Sequence, residues 1–149
     1  MNKTFSLKSL LDLAQAHTNT AARNLGRSFT REQEEEQKLQ MLTNYRLDYM
    51  ANIQKTLQKG VSPASWANYQ EFMNKLDLAV KQQSEVVAHW QRQALASRQE
   101  LDEQQRRLKS YDTLSQRHHK DACRREEQKE QKEHDEYAIT SLARSANGE

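Results

Sequence analysis

The segment Lys59-Gly60-Val61-Ser62-Pro63 is the strongest break in a chain of 149 residues that contains only three glycines and one proline. Glycine accommodates the left-handed conformation that often follows a helix C-terminus. Serine caps the start of a helix, and proline fits the first helical turn, where no amide hydrogen is needed. The segment predicts two helices, at about residues 4–58 and 63–144, joined by a turn at residues 59–62. Because the turn is short, the helices should be antiparallel neighbours.

On both sides of the turn, apolar residues recur at alternating spacings of three and four, the heptad pattern of a coiled coil. We call these positions the seam. In the first helix the seam runs through Leu7, Leu11, Ala14, Thr18, Ala21 and Leu25, weakens over residues 28–36, and resumes at Leu39, Leu42, Arg46, Tyr49 and Ile53. In the second helix it runs through Trp66, Tyr69, Met73, Leu76, Val80, Gln83, Val87, Trp90, Ala94, Ser97, Leu101, Gln104, Leu108 and Tyr111. The predicted fold is all-α, a single domain over residues 1–149 that forms a long antiparallel two-helix coiled coil, or α-helical hairpin.

Counting outward from the turn places residue i of the first helix opposite roughly residue 122 − i of the second. The first helix therefore runs out of partner near residue 118. Beyond that point the seam positions become polar, and ion pairs such as Asp121–Arg125 and Glu126–Lys129 are expected to support the helix by about 0.2–0.5 kcal/mol each. The sequence thus predicts a protruding, unpaired C-terminal helix end.

Two features weaken the seam of the first helix. The stretch REQEEEQ at residues 31–37 interrupts the apolar pattern, and we expect it to be a solvated part of the helix. Gly26 lies inside the helix and costs about 1 kcal/mol relative to alanine, so it marks a soft point.

Tyr45 and Phe72 fall at positions that flank the seam, where charged residues are usual in coiled coils. In an antiparallel pair these flanking positions of the two helices lie on the same side, next to the seam residues Leu42, Tyr49 and Leu76. The aromatic residues either widen the seam or form a docking surface, since a contiguous exposed apolar patch usually marks an interface.

Composition excludes several classes of function. Positive and negative charges are interspersed and the net charge is +2, so the sequence lacks the basic face of a nucleic-acid-binding protein. We find no apolar run near the ~18 residues of a membrane span and expect no signal peptide. The single cysteine, Cys123, excludes an internal disulfide, and the cytosol is the default location.

The sequence also lacks the residue patterns that catalysis, phosphate binding or metal binding would require. Its three glycines are too far apart to form a phosphate-binding loop. His118 and His119 are adjacent, so on a helix they point about 100° apart and cannot chelate one metal together. We therefore expect no catalytic, cofactor-binding or metal site, and no enzymatic activity.

Five segments resemble the family of the flagellar export protein FliJ: LLDLA at 10–14, AARNLG at 21–26, LQMLTNYRLDY at 39–49, WANYQEF at 66–72 and QKEHDE at 131–136. The resemblance implies a soluble, stalk-like component of the flagellar type III export apparatus. Such a component binds the hexameric export ATPase and the cytoplasmic domain of the membrane export gate, and handles export chaperones of minor flagellar proteins. Its location would be cytoplasmic, peripherally associated with the inner membrane through the apparatus.

The resemblance also assigns site residues. The family's gate-binding cluster maps onto a set that we call the docking stripe: Leu42, Tyr45, Tyr49, Phe72, Leu76 and Ala79. Lys38 and Gln83 depart from the family pattern beside it. For ATPase binding the candidates are cations near the two chain ends: Lys8, Arg124, Arg125, Lys129 and Lys132.

Alternative interpretations stay open at this point. The C-terminal cations are either an ATPase contact or a solvated tail. The whole chain could instead be the stalk of a virulence type III secretion system, or a generic structural coiled-coil linker.

Overall fold

A computed structural model describes residues 2–148, with side chains from residue 6 onward. Helix α1 spans Asn2–Gln58 and helix α2 spans Pro63–Ala146, and the described residues contain no strand. The two helices are 57 and 84 residues long. The all-α prediction is confirmed.

The turn between the helices has the predicted chemistry. Gly60 has a φ of 86°, in the left-handed region, and its amide donates to the carbonyl of Leu57 at 3.2 Å. A Cβ added at Gly60 would meet nothing within 4 Å, so the backbone conformation alone favours glycine there. At the start of α2, the Ser62 hydroxyl accepts the amide hydrogen of Ser65 at 3.2 Å and caps the helix.

The chain forms two compact units, and the first consists of His17–Gln104. Within this unit α1 and α2 pack as an antiparallel coiled coil, as predicted. Its most buried apolar side chains are those of Ala21, Leu76 and Val87. The counting rule places residue 104 opposite Thr18, and the Thr18 hydroxyl donates to the Gln104 carbonyl at 3.3 Å.

The prediction that residues 31–37 are a solvated interruption of the seam holds for the five of these seven residues that are exposed and is wrong at Glu35. Glu35 is only 4% exposed and Ser28 only 6%, so polar side chains carry the seam through this part of α1. The reason is that α2 supplies partners. Gln83 donates to Glu35, and the Ser28 and Ser97 hydroxyls share a hydrogen bond of 3.2 Å. A buried polar group is tolerated when it is hydrogen-bonded.

At the turn end of α2 the seam is shallow, and Trp66, predicted as its first member there, lines a groove with Ile53 and Leu57 of α1. Trp66 is 39% exposed, and every residue from 62 to 68 is exposed. Tyr69 is the first residue of α2 that is half-buried. The opening turns of α2 therefore contribute little packing to the seam.

The second unit joins the residues up to Ala16 with those from Gln105 onward. Here Leu7 and Leu11 of α1 line a groove together with His118 of α2. From residue 119 to 148, which we call the terminal segment, every described side chain is exposed. The prediction that α2 continues beyond its α1 partner is confirmed, although His119 and Ala122 still line the groove with Leu7 and Leu11, slightly past the predicted residue 118.

The burial of Glu35 generates a prediction about acid stability. The Gln83 amide, followed by the Lys38 and Arg31 charges, lowers the pKa of Glu35 below its usual 4.5, although burial works in the opposite direction. Since the folded-state pKa is the lower one, the contribution of Glu35 to stability is complete above the unfolded-state value and is lost as the pH falls through the folded-state value.

We therefore expect the melting temperature to fall on acidification from about pH 6 to about pH 3, and the Glu35→Gln variant to lose less over that interval. Circular dichroism melts of both proteins at the two pH values check this. An equal acid-induced loss in the variant would contradict a role for Glu35.

Candidate functional site

Four aromatic side chains from both helices meet in the His17–Gln104 unit. The Tyr49 ring lies 4.6 Å from Phe72 and 6.1 Å from Tyr69, measured between ring centroids, and Tyr45 lies 6.3 Å from Phe72. These separations and the edge-on and tilted orientations are those of favourable aromatic pairs. The cluster exists because the flanking residues Tyr45 and Phe72 lie on the same side of the coiled coil, next to the seam residues Tyr49 and Tyr69.

The members of the docking stripe differ in how far their side chains are exposed. Tyr45 is 53% and Phe72 39% exposed, whereas Leu76 is 7% exposed and packs in the seam. The remaining members, Leu42, Tyr49 and Ala79, are half-buried. The accessible part of the stripe is therefore centred on Tyr45 and Phe72.

Tyr49 connects the buried and exposed parts of the cluster. Burial, and then the neighbouring Tyr69 and Tyr45 hydroxyls, raise the pKa of Tyr49 above 10.0, so its phenol is neutral at physiological pH. A neutral phenol beside Phe72 keeps this surface uncharged, as an apolar contact requires.

Beside Tyr45 the surface of α1 forms an open groove of about 670 Å³. It is lined by Lys38, Met41, Leu42, Asn44, Tyr45, Asp48 and Gln83. Met41, which sequence reasoning did not single out, is 71% exposed. The signal was available, since Met41 precedes Tyr45 by four residues and therefore shares its helix face.

The candidate ATPase-binding residues all lie in the other unit. Lys8 lines a groove of about 330 Å³ with Ser115 and His119 among its other residues. The cations of the terminal segment are fully accessible: Arg124, Arg125, Lys129 and Lys132 are exposed.

The ion pairs expected to support the terminal segment do not form. Among the described side chains, the ion pairs closer than 4 Å include those of Arg31 with Glu34 and of Lys75 with Glu71, but neither Asp121–Arg125 nor Glu126–Lys129. Exposure does not explain the difference, since the Lys75–Glu71 pair forms at 73% and 66% exposure, but exposed pairs contribute little to stability in either case. Arg125 and Lys129 are therefore not engaged by the carboxylates that their spacing offers.

The terminal segment also carries large apolar side chains that the sequence reasoning passed over. Tyr137, Ile139 and Leu142 are between 67% and 74% exposed. The heptad pattern offered little indication of them, because it does not continue regularly in this part of α2.

The described residues contain neither a metal-binding cluster nor a membrane-spanning helix. The His119 ring lies 3.8 Å from the Cys123 thiol, but no group of three potential metal ligands occurs in the described part of the chain. Neither α1 nor α2, as far as each is described, contains a stretch apolar enough to span a membrane.

A family model described as "Flagellar FliJ protein" matches residues 2–147. The chain belongs to the FliJ family. Two relatives, both named flagellar FliJ protein, come from Salmonella typhi and Escherichia coli (strain K12), and each is 31% identical over 139 residues. The aligned region covers 93% of this chain and 95% of each relative. The resemblance to FliJ that the sequence segments carry is confirmed over nearly the whole chain.

The uneven burial of the docking stripe predicts that its members differ in their effect on stability. Leu76→Ala should lower the free energy of unfolding by about 2–3 kcal/mol, because it leaves a cavity in the seam. Tyr45→Ala should lower it by about 1 kcal/mol or less, because only an edge-on aromatic contact is lost. Urea titrations followed by circular dichroism measure both values. A Tyr45→Ala loss as large as that of Leu76→Ala would favour the interpretation of the stripe as a widened seam.

Proposed function

We propose that this chain is a component of the flagellar type III protein export apparatus that couples the export ATPase hexamer to the membrane export gate. The observation that carries the proposal is the family match over residues 2–147, which includes both the docking stripe and most of the terminal segment. The role is one of binding and positioning, without catalysis or a cofactor.

The exposed aromatic cluster supports gate binding. Tyr45 and Phe72 present large apolar surfaces on a coiled coil whose other flanks are mainly charged or polar. Aromatic side chains at the centre of an interface often dominate its affinity. We therefore assign the cytoplasmic domain of the export gate to this surface, with Leu76 supporting it from the seam.

The terminal segment supports ATPase binding. Its exposed cations are available for acidic side chains of a ring, and its exposed apolar residues are available for packing. A helix without a packing partner is marginal in water, so insertion into a ring would stabilise this segment. Lys8 of α1 belongs to the same unit and adds a further cation.

Handling of free export chaperones of minor flagellar proteins belongs to the same proposal, and rests on the family assignment. So does the location, which we propose is cytoplasmic and peripheral to the inner membrane through contacts with the apparatus.

The gate contact predicts a selective loss of affinity. Tyr45→Ala combined with Phe72→Ala should weaken binding to the cytoplasmic domain of the gate by on the order of thirtyfold, because hot-spot aromatics typically contribute about 2 kcal/mol or more. The matched control is Phe29→Ala, since Phe29 is 54% exposed and lies outside the stripe. Calorimetric titration measures both proteins. Equal affinity of the double variant and the control would exclude the stripe as the gate contact.

The ATPase contact predicts a separable loss. A chain ending at Arg117 should keep its coiled coil and its gate binding, yet lose ATPase binding and stimulation of hexamer formation. In the full chain, replacing Arg124, Arg125, Lys129 and Lys132 with Gln should reduce the salt dependence of ATPase binding, because fewer charges are paired. Arg98→Gln, an exposed change in the other unit, serves as the control. Unchanged affinity and salt dependence after truncation would show that the contact lies elsewhere.

A further inference from the structure

The most unusual of the described side chains is the carboxylate of Glu35. At 4% exposed it is as buried as Ala21, although it carries a charge and lies in the seam of a two-helix coiled coil. Burial of a charge is costly unless it is paired and hydrogen-bonded. Neither the gate contact nor the ATPase contact proposed above uses this group.

Glu35 is held by partners on both helices. The Gln83 amide nitrogen, on α2, donates to the backbone carbonyl of Glu35 at 2.8 Å and to its Oε2 at 2.7 Å. Its Oε1 lies 3.3 Å from the Lys38 ammonium and 3.6 Å from the Arg31 guanidinium. Arg31 in turn lies over the Trp90 ring, 5.5 Å from its centroid. The partners of Oε1 lie on α1 itself, whereas Oε2 and the Glu35 carbonyl are bonded to Gln83 in this alignment of the helices.

Both donor hydrogens of the Gln83 amide are consumed by these two bonds. Gln83 lines the groove beside Tyr45, yet its amide has no hydrogen left to offer a docking partner. Its place beside the docking stripe thus reflects a contact between the two helices.

The Glu35–Gln83 contact distinguishes one register from its neighbours. If the helices slide by one heptad, the position opposite Glu35 is taken by Leu76 or Trp90, seven residues before or after Gln83. Leucine offers no side-chain donor, and tryptophan offers one ring N–H to a carboxylate that here accepts several bonds. The buried charge would keep Lys38 and Arg31 of its own helix but lose the Gln83 amide, which holds Oε2 and the Glu35 carbonyl.

Other side-chain contacts between the helices carry a smaller penalty when broken. The Arg46–Asp77 ion pair is 36% and 48% exposed, so water can replace either partner, and the Ser28–Ser97 hydrogen bond joins two neutral hydroxyls. Apolar seam residues meet other apolar residues after a heptad shift. Thr18 donates to a backbone carbonyl, which every residue provides. The turn end restrains the register through few contacts, because residues 62 to 68 are all exposed and Trp66 is the member that lines a groove with Ile53 and Leu57 of α1.

We propose that Glu35 and Gln83 are positioning residues that set the axial register of α1 and α2, and thereby align Tyr45 and Tyr49 on one helix with Phe72 on the other. The register is a property of the coiled coil itself. Its consequence for docking rests on the proposed function, because the docking stripe is built from both helices.

Disulfide trapping in the full-length chain, with Cys123→Ser to remove the exposed thiol, tests the register directly. Ser28→Cys with Ser97→Cys reports the native register, since these hydroxyls are 3.2 Å apart. Ser28→Cys with Gln104→Cys reports a shift of one heptad. Each pair is compared in the native background, in Glu35→Leu/Gln83→Leu, and in the exchanged variant Glu35→Gln/Gln83→Glu.

In the double-leucine background we expect the ratio of shifted to native disulfide to rise roughly tenfold, the range expected when burying an unsatisfied polar group no longer penalises the shift. Thermal stability should be equal or higher, because apolar residues often replace buried ionic groups without loss. The exchanged variant should restore the native ratio. An unchanged ratio in the double-leucine protein would overturn the proposal and assign the register to the turn and the apolar seam.

A docking measurement separates the two proposals. The double-leucine protein should bind the gate domain more weakly, and oxidation of its Ser28→Cys/Ser97→Cys pair should restore binding by fixing the native register. Failure of that disulfide to restore binding would overturn the positioning of the stripe. If the unmodified chain itself does not bind the gate domain, the proposed function fails, while the trapping ratios still decide the register.

Discussion

Two helices packed against each other bury only one narrow seam, and whatever side chain falls in that seam must find its partners there. Larger folds can surround an awkward residue with several elements, but a coiled coil offers it only the facing helix. Here the seam accepts Thr18, Ser28 and Glu35 among its apolar residues because α2 presents a carbonyl, a hydroxyl and an amide at the matching levels. Polar satisfaction across the seam therefore constrains the alignment of the whole His17–Gln104 unit.

The same constraint explains which parts of the fold the sequence predicted. The turn is encoded by neighbouring residues, and the helices follow from periodicity, so both were accessible to local reasoning. The burial of Glu35 was not, because its partner Gln83 lies 48 residues away and only the three-dimensional pairing brings them together. A run of charged residues on one helix reads as a solvated surface until the facing helix is known.

The candidate site was predictable to a similar extent. Aromatic residues at flanking positions indicated an apolar surface, and Tyr45 and Phe72 are indeed exposed there. How far each neighbour is exposed depends on the angle at which its helix faces the other, so the burial of Leu76 and the exposure of Met41 needed the structure. In the terminal segment, sequence spacing overestimated ion pairing, since proximity on a helix face allows a pair, as in Lys75–Glu71, but does not by itself impose one.

In a coiled coil with a narrow seam, the residues that stabilise the fold lie next to the residues that a binding partner can contact. The side chains flanking it contact the seam on one side and solvent on the other, so a partner that binds the aromatic cluster contacts residues of α1 and α2 at once. Such a partner recognises the relative alignment of two helices as well as individual side chains. Beyond Ala122, the last residue of α2 in the groove with α1, every described side chain of the terminal segment is exposed, so the order of this part must come from its own helix propensity or from a partner. The geometry of the docking stripe is thus set by contacts between the two helices of the chain. For the terminal segment we propose that another protein supplies the packing.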